Sequence, residues 1–424
     1  MLQPILILVV FFVFAGLMMT QRISTLLALV LMAVLIALIA GVPVMGTDGI
    51  LEDVIALGAV RLAAAYAAVI FGAWLGQVML QTGISQDLIR RAAELAGDRP
   101  LAVALALAAV VALLFTTLAG LGSVIMIGTI VLPIMLSVGI KPVKTATIFL
   151  FAVAAGLAMN LVNWQLFASL GEIDLAVIRQ FGTIQFGLTA LVGVVFIFLQ
   201  MRRGEVAWAV VSEPTEDEAL IVSKKVPLYS LLTPFIPLVL VLFFKWNIIP
   251  AFLVGIFYGA ISVNWRHSFR IITKAAMDGI TAGAPAILLM VAIGMVLRAV
   301  FHPAVAGVMQ PFLTSVFPTT VIGFILFFAI LAPLALYRGP MNLFGLGAGI
   351  AGLVISLGIL PASAAITGFM ATERMQSVGD PTNTHNVWTA DFAGVDVNAI
   401  SLKLVPFLWV IAAISAVLAG IIHL

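Results

Sequence analysis

Long apolar stretches separated by short polar ones cover nearly the whole chain. Crossing a hydrocarbon core of about 30 Å takes roughly 20 apolar residues in a helix, and several stretches approach or exceed that length. They do not alternate polar and apolar residues as the strands of a membrane β-barrel do. The pattern therefore predicts an all-α polytopic membrane protein. Its membrane segments are expected at residues 2–19, 24–44, 54–80, 101–117, 124–138, 145–159 and 184–199, and again at residues 228–244, 248–263, 275–299, 321–335, 343–360, 362–371 and 400–422.

Two of these stretches are interrupted by glycine, proline and small polar residues in matching ways. The first interruption contains Gly120, Gly122 and Ser123, and the second contains Gly339, Pro340 and Asn342. One constant shift along the chain relates four identical residues of the two halves, namely Gly120, Gly128, Gly139 and Pro142 to Gly339, Gly347, Gly358 and Pro361. Paired interruptions at corresponding places are typical of secondary transporters, in which broken helices meet at a site near the bilayer midplane.

A second pair of similar segments follows the two interruptions. Residues 160–164 of the first half (Asn-Leu-Val-Asn-Trp) resemble residues 383–388 of the second (Asn-Thr-His-Asn-Val-Trp). Together, the matching interruptions and the similar segments after them predict an inverted-repeat transporter with paired re-entrant hairpins and broken helices. We expect a first repeat at residues 1–200, an inter-repeat linker at 201–226 and a second repeat at 227–424.

Charged side chains indicate the orientation of the chain. With the N-terminus outside, the basic residues fall in inner loops, as the positive-inside rule requires. The basic residues on this side are Arg22, Arg90, Arg91, Arg99, Lys141, Lys144, Arg202, Arg203, Lys224, Lys225, Arg266, Arg270 and Lys274. The linker is then cytoplasmic, and an odd number of crossings per half inserts the two repeats in opposite directions. Residues 85–96 and 303–313 read as interfacial helices, either arms between two moving units or plain interfacial packing.

Composition excludes several function classes. The chain is 63% hydrophobic and 9% charged, with a mean hydropathy of +1.26, values far outside the soluble range. It has no cysteine, so thiolate metal sites and disulfides are excluded. The sequence has no phosphate-binding loop, metal-binding helix motif or nucleophile elbow, so we expect neither an enzyme nor a cofactor-dependent protein. The sequence has no stripe of basic residues, so no nucleic-acid partner is predicted.

Arg338 is the first candidate for binding an anion, because it lies directly on the second interruption. Its guanidinium offers paired donors to a carboxylate. A helix restarting after Pro340 would also aim free backbone amides at the site, near Gly339 and Asn342. The alternative is that Arg338 only anchors the inner edge of a membrane segment.

The first interruption offers hydroxyls and bare backbone at Thr117, Gly120, Gly122 and Ser123. Unwound carbonyls and hydroxyl oxygens can coordinate Na⁺ or hold a polar substrate. The alternative for the glycines is close helix packing.

The polar stretch at residues 379–386 holds the remaining candidates. It is either a cavity lining or an exposed loop, and its apolar counterpart at residues 158–164 favours the cavity. Asp380 is the predicted acceptor of a coupling proton or Na⁺, with His385 second. Substrate oxygens would bind the neutral groups of Thr382 and of four asparagines, Asn160, Asn163, Asn383 and Asn386. A Na⁺ ion, if used, would lie near Ser123, Asn160, Asp380 and Asn383.

Three further ionisable residues, Arg61, Asp278 and Arg298, lie within ordinary membrane segments. A charge at the bilayer centre costs roughly 2.5 to 3.5 kcal/mol on insertion scales. We expect these three side chains to reach the interface or to pair between helices.

Residues 83–98, 120–136 and 383–388 resemble gluconate- and citrate-type carboxylate permeases of the ion transporter superfamily, and more distantly the large membrane subunit of tripartite dicarboxylate transporters. The resemblance implies elevator-like transport coupled to H⁺ or Na⁺, hairpin tips at the two interruptions, and a homodimer. The chain lacks the Ser-Asn-Thr signature of the dicarboxylate/sodium branch.

The predicted function is therefore symport of a small organic carboxylate across the inner membrane. The alternatives are a Na⁺/H⁺ antiporter of the same superfamily and the membrane subunit of a binding-protein-dependent carboxylate transporter. Apart from the anion and the lipid bilayer, no obligatory partner is predicted.

Overall fold

The structure, a computed structural model, describes residues 2–20, 22–202 and 225–424. The predicted linker lies almost wholly outside these residues. Helices and short turns make up the described chain, and none of its residues forms a strand. The prediction of an all-α polytopic membrane protein is confirmed.

The described helices form two series of nine, in which each helix of the first half has a counterpart nine places later. The first series is α1 (Leu2–Met19), α2 (Thr25–Ile39), α3 (Ile50–Thr82), α4 (Ile84–Ala96), α5 (Pro100–Phe115), α6 (Leu121–Ser137), α7 (Pro142–Ala158), α8 (Leu161–Gly171) and α9 (Leu175–Arg202). The second series is α10 (Phe235–Leu242), α11 (Ile248–Val263), α12 (Ser268–Phe301), α13 (Pro303–Val316), α14 (Val321–Leu331), α15 (Leu346–Ser356), α16 (Ala362–Arg374), α17 (Thr384–Phe392) and α18 (Val397–His423).

Equivalent helices of the two halves pack antiparallel to one another. Along α3 and α12, the start of one helix meets the end of the other, since Gly58 lies against Met295 and Trp74 lies against Gly279. Helices α9 and α18 are paired in the same sense, because the Phe181 ring lies 6.1 Å from that of His423 and the Phe196 ring lies 5.0 Å from that of Phe407. The two halves therefore run in opposite directions, which is the inverted arrangement that the charge pattern predicts.

Helix lengths separate full membrane spans from shorter elements. Within the described residues, five helices are long and apolar enough to cross a membrane: the segments Ile50–Thr82, Leu175–Arg202, Trp265–Phe301, Val321–Arg338 and Val397–His423. Helices α7 and α8 together would form a sixth span, bent by 52°. The predicted membrane segments coincide with most of the observed helices. Two differences are that α9 begins at Leu175 rather than at residue 184, and that α8 and α17, which no predicted segment contains, form separate helices.

Helix α4 is the amphipathic helix that the sequence predicts, and it carries one buried acid. The Asp87 side chain is fully buried, and its carboxylate pairs with Arg90 and Arg91 and accepts a hydrogen bond from the backbone N–H of Val226 at 3.3 Å. Burial alone would raise the pKa of this carboxyl, but the hydrogen bonds from Arg91, Arg90 and Val226 outweigh it and lower the pKa below its usual value. This cluster attaches α4 to the start of the second half.

Candidate functional site

The first hairpin tip, residues 116–120, joins α5 to α6. Gly120 has a φ of +84°, a conformation that side chains with a Cβ rarely adopt, and both Gly120 and Gly122 are exposed with open space beside them. The Ser123 hydroxyl donates to the carbonyl of Ala119 at 3.0 Å. Thr117 is buried and donates to the carbonyl of Leu114 at 3.2 Å, so its hydroxyl serves its own helix end.

Asn160 holds the first tip against the first bend, which is residues 159–160 between α7 and α8. Its side-chain oxygen caps α8 by accepting from the N–H groups of Val162 and Asn163, both at 3.1 Å. Its amide nitrogen donates to the carbonyls of Phe115 and Leu118 at 2.8 Å. The fully buried side chain therefore has four partners and is a structural clamp, with no group left for a substrate.

Asn163 differs from Asn160 because its side-chain amide is unused. The side chain is 8% exposed and forms no hydrogen bond with the part of the chain that the structure describes. An amide at a bend with free donor and acceptor groups can bind a polar ligand. Of the two asparagines predicted in the first half, Asn163 is the one available for substrate.

The second hairpin tip, residues 339–345, follows an unwound helix. After α14 the chain forms a 3₁₀ turn, Ala332–Arg338, and both Tyr337 and Arg338 adopt a φ of +55°. Two consecutive residues with side chains in this region store backbone strain, of order 1–3 kcal/mol each, as is common at ligand sites. The Arg338 guanidinium, which is half-buried, forms no hydrogen bond or ion pair within the described ranges.

A helix does restart after Pro340, but only after the tip. Helix α15 begins at Leu346. The N–H of Leu343 donates to Gln376 Oε1 at 2.9 Å and that of Phe344 donates to Asn342 Oδ1 at 2.8 Å. These side-chain acceptors replace a helical turn, so the amides predicted to face an anion are occupied in this conformation. Asn342 is buried within the tip, and Gly339 lies beside the carbonyl of Leu334.

The second bend, residues 380–383, separates α16 and its π-helical extension, Met375–Gly379, from α17. Asn383 caps α17 by accepting from the N–H of His385 at 3.2 Å, as Asn160 caps α8. Its amide donates to the carbonyls of Ser377 and Gln376 at 2.9 and 3.3 Å, which lie in the π-helical extension just before the bend. The two asparagines are thus equivalent as caps, but only Asn160 is attached to a hairpin tip.

Asp380 connects the second bend to the second tip. Its Oδ1 accepts from the N–H and the hydroxyl of Thr382 at 2.8 and 2.7 Å, and its Oδ2 accepts from the N–H of Arg338 at 3.2 Å. Three donors therefore occupy its carboxylate oxygens. This geometry gives Asp380 and Thr382 a role in shaping the bend, while the coupling role of Asp380 stays a prediction.

Two other polar groups of this bend have unused atoms. The Nδ1 of His385 and the Oδ1 of Asn386 are buried and have no hydrogen-bond partner in the described chain. The His385 ring lies close enough to Arg338 to feel its charge. Asn386 uses its amide nitrogen to donate to the carbonyls of Val378 and Asp380, each at 2.8 Å. Arg338, His385 and Asn386 therefore combine a free cation with unsatisfied polar atoms.

Packing between the halves joins the two tips and the two bends into one region. Helix α6, which follows the first tip, packs on α17, and Gly128 leaves room there for the Trp388 ring. The second tip packs on α8, where the rings of Phe344 and Phe167 meet at 6.4 Å. Hydrogen bonds thus hold each tip to the bend of its own half, and these two contacts bring the two halves together nearby.

The four oxygen groups predicted to surround Na⁺ are already hydrogen-bonded in this conformation. Ser123 donates to a carbonyl, Asn160 and Asn383 use their oxygens as caps, and Asp380 accepts three bonds. The described residues contain no group of three acids or histidines that could hold a metal ion. A Na⁺ site stays a prediction.

Pairing accounts for the other ionisable residues in membrane segments. Arg61 forms an ion pair with Glu172 at 2.8 Å, Arg298 pairs with Asp53, and Asp278 accepts a hydrogen bond from Gln81 at 2.8 Å. These contacts match the expectation of inter-helix pairing.

Several polar residues of α16 and its extension were not among the predicted site residues. Thr372 donates to the carbonyl of Met341 at 2.9 Å, and Gln376 binds the N–H of Leu343, so both attach the second tip to this helix. Between them lie Glu373 and Arg374, which are buried. The signal was present, since polar residues four apart share one face of an otherwise apolar helix.

Comparison with known proteins gives a fold and no family. No protein family matches the sequence, and no curated protein is significantly similar to it. Among solved structures, the YdaH transporter of Alcanivorax borkumensis, described as having an unusual topology, is similar with a TM-score of 0.59 at 14% identity. The match covers 95% of this chain and 97% of that one. The chain therefore shares the fold of a solved membrane transporter over nearly its whole length.

Proposed function

We propose that this protein is a secondary active transporter that carries a small organic carboxylate across the inner membrane together with H⁺ or Na⁺. The observation that carries the proposal is that each half bonds a hairpin tip to a bent helix, that the two halves pack together beside these elements, and that the guanidinium of Arg338 and the amide of Asn163 are unused in the described chain. Irregular backbone at membrane depth is tolerated where it is buried in protein or lines a cavity.

An anionic substrate fits the charge of this region. The guanidinium of Arg338 forms no ion pair with an acid in the described chain, although Asp380 accepts a hydrogen bond from its backbone N–H. A planar guanidinium binds a carboxylate through two parallel hydrogen bonds. The amide of Asn163 and the open backbone at Gly120 and Gly122 supply neutral groups for the rest of a small polar molecule.

Alternating access fits the inverted halves. Two oppositely inserted copies can exchange conformations, so that a site between them opens first to one side and then to the other. The elevator-like form of this movement rests on the resemblance to carboxylate permeases and on the short helices that form the hairpins.

Uptake of radiolabelled carboxylates into proteoliposomes, under imposed H⁺ or Na⁺ gradients, tests the proposal. We expect gradient-dependent uptake of at least one carboxylate, lost in Arg338→Ala and kept in the control Arg266→Ala, whose side chain is exposed. Absence of uptake across a broad panel would overturn the proposal. Cation exchange that survives Arg338→Ala would instead identify a Na⁺/H⁺ antiporter, and uptake only with an added solute-binding protein would identify the third alternative.

A further inference from the structure

A buried acid and a buried base lie side by side on α16. Glu373 and Arg374 have side chains that are 2% and 1% exposed, and they form an ion pair. The guanidinium of Arg374 also donates to the carbonyl of Ala154 on α7. The pair therefore lies where the bent helix of one half touches the bent helix of the other, a short distance before both bends.

The pair is not fully satisfied by its surroundings. Arg374 Nε is buried and has no hydrogen-bond partner among the described residues, and Glu373 Oε2, the oxygen that meets Arg374, forms no other hydrogen bond there. A buried ion pair offsets its desolvation only when the remaining lone pairs and protons are also bonded. Buried ionisable residues of this kind in membrane helices mark ion pathways and proton relays.

The second hairpin tip covers the same stretch of helix. Thr372 and Gln376 lie one turn apart on one face and bind the backbone of Met341 and Leu343 in that tip. Glu373 lies beside Gln376 around the helix, so a displacement of the tip would uncover its carboxylate. Access of water and protons to Glu373 is thus connected to the position of the second tip.

Among the described residues, the surroundings of Glu373 contain one other buried carboxylate, that of Asp380. Elements that pack on α16, together with α7, carry the charged or titratable side chains of Arg338, His423, Lys144, Arg179, Arg202 and Lys403, and the second bend adds Asp380 and His385. Of the two acids in this neighbourhood, Asp380 accepts three hydrogen bonds. Glu373 Oε2 instead has the Arg374 guanidinium as its partner and accepts no further hydrogen bond in the described chain.

We propose that the Glu373–Arg374 pair couples one proton to one substrate carboxylate, an inference that rests on the proposed function. With Glu373 ionised and no substrate, the two charges cancel. A proton on Glu373 leaves the charge of Arg374 uncompensated, and a substrate carboxylate then balances it. Binding of the proton alone, or of the anion alone, leaves a net buried charge, which costs free energy. The two ligands therefore enter and leave together.

This charge balance predicts electroneutral transport of a monocarboxylate with one H⁺. Glu373 takes the proton from one side and releases it on the other, and no other group gains or loses a charge. At equilibrium, a pH difference of one unit then accumulates the substrate about tenfold. A membrane potential alone drives no accumulation.

Proteoliposomes loaded with a pH-sensitive dye test the inference with the carboxylate found by the uptake screen. Glu373→Gln mimics the protonated acid. We expect it to keep substrate exchange at equal concentrations on both sides, to lose the tenfold accumulation and to move no protons. Glu94→Gln, a change at an exposed acid of α4, is the matched control and should behave as wild type.

The outcomes separate the two proposals. Failure of wild-type uptake overturns the proposed function. Wild-type uptake with accumulation that persists in Glu373→Gln, or that responds to voltage, overturns the coupling role alone. If Glu373→Gln does not fold, Glu373→Asp replaces it: the shorter acid should keep proton-driven accumulation but shift the pH dependence of uptake, and an unchanged pH profile would contradict the inference.

Discussion

Removing the Asn160 side chain should release the first hairpin tip and leave the second one in place. Asn160→Ala deletes a helix cap, worth about 1 kcal/mol. It also deletes donors to the carbonyls of Phe115 and Leu118, each worth roughly 1 kcal/mol net. The two bonds to the tip, about 2 kcal/mol together, correspond to an increase of roughly 30-fold in the equilibrium for opening the tip.

The natural chain has no cysteine, so a single introduced thiol reports on this opening. Ser123→Cys places the thiol on the first turn of α6, and its rate of labelling by a maleimide measures exposure of the tip. We expect Asn160→Ala to raise that rate strongly in this background. Asn383→Ala is the matched control, because the Asn383 amide bonds only to the helical extension just before its own bend and to no hairpin tip. Equal acceleration by both changes, or by neither, would refute the assignment of Asn160 as a clamp.

Two further predictions concern packing and charge. Gly128→Ala places a Cβ about 2.5 Å from the Trp388 ring and should weaken the packing of α6 on α17 by about 1–3 kcal/mol, which a lower melting temperature would show. Gly187→Ala is the control, because a Cβ there meets open space and should not lower the melting temperature. A lower melting temperature for Gly187→Ala would count against this reasoning. Asp87→Asn should lower the melting temperature at neutral pH. Because the folded pKa of Asp87 is below its usual 3.8, its contribution is complete above that pH and disappears as the pH falls through the folded value. A difference from wild type that persists well below that value would contradict the assignment.

The positions of the tips and bends follow closely from local sequence signals. A helix begins directly after Gly120, and asparagine caps at Asn160 and Asn383 begin the second part of each bent helix. These features depend on the chemistry of one or two residues, so a pattern along the chain predicts them. The amphipathic α4 is predicted for the same reason.

Features that depend on distant partners were missed or misread. The restart of α15 at Leu346 depends on Gln376, which accepts from the tip backbone and removes the need for a helical turn there. Asn160 and Asn383 occupy corresponding positions of the two similar segments, yet only Asn160 donates to carbonyls more than 40 residues away along the chain. Arg374 meets Ala154 across 220 residues, a contact that no local pattern contains.

Helices α3 and α12 approach each other closely, because their backbones meet at glycines. A Cβ on Gly58 would lie 2.7 Å from the Cα of Met295, and one on Gly279 would lie 2.8 Å from the backbone nitrogen of Trp74. Shifting one helix past the other by a single residue, about 1.5 Å, would push side chains into the opposing main chain. We therefore expect α3 and α12 to keep their relative position while the protein transports its substrate. An engineered crosslink between the two helices should then leave transport intact.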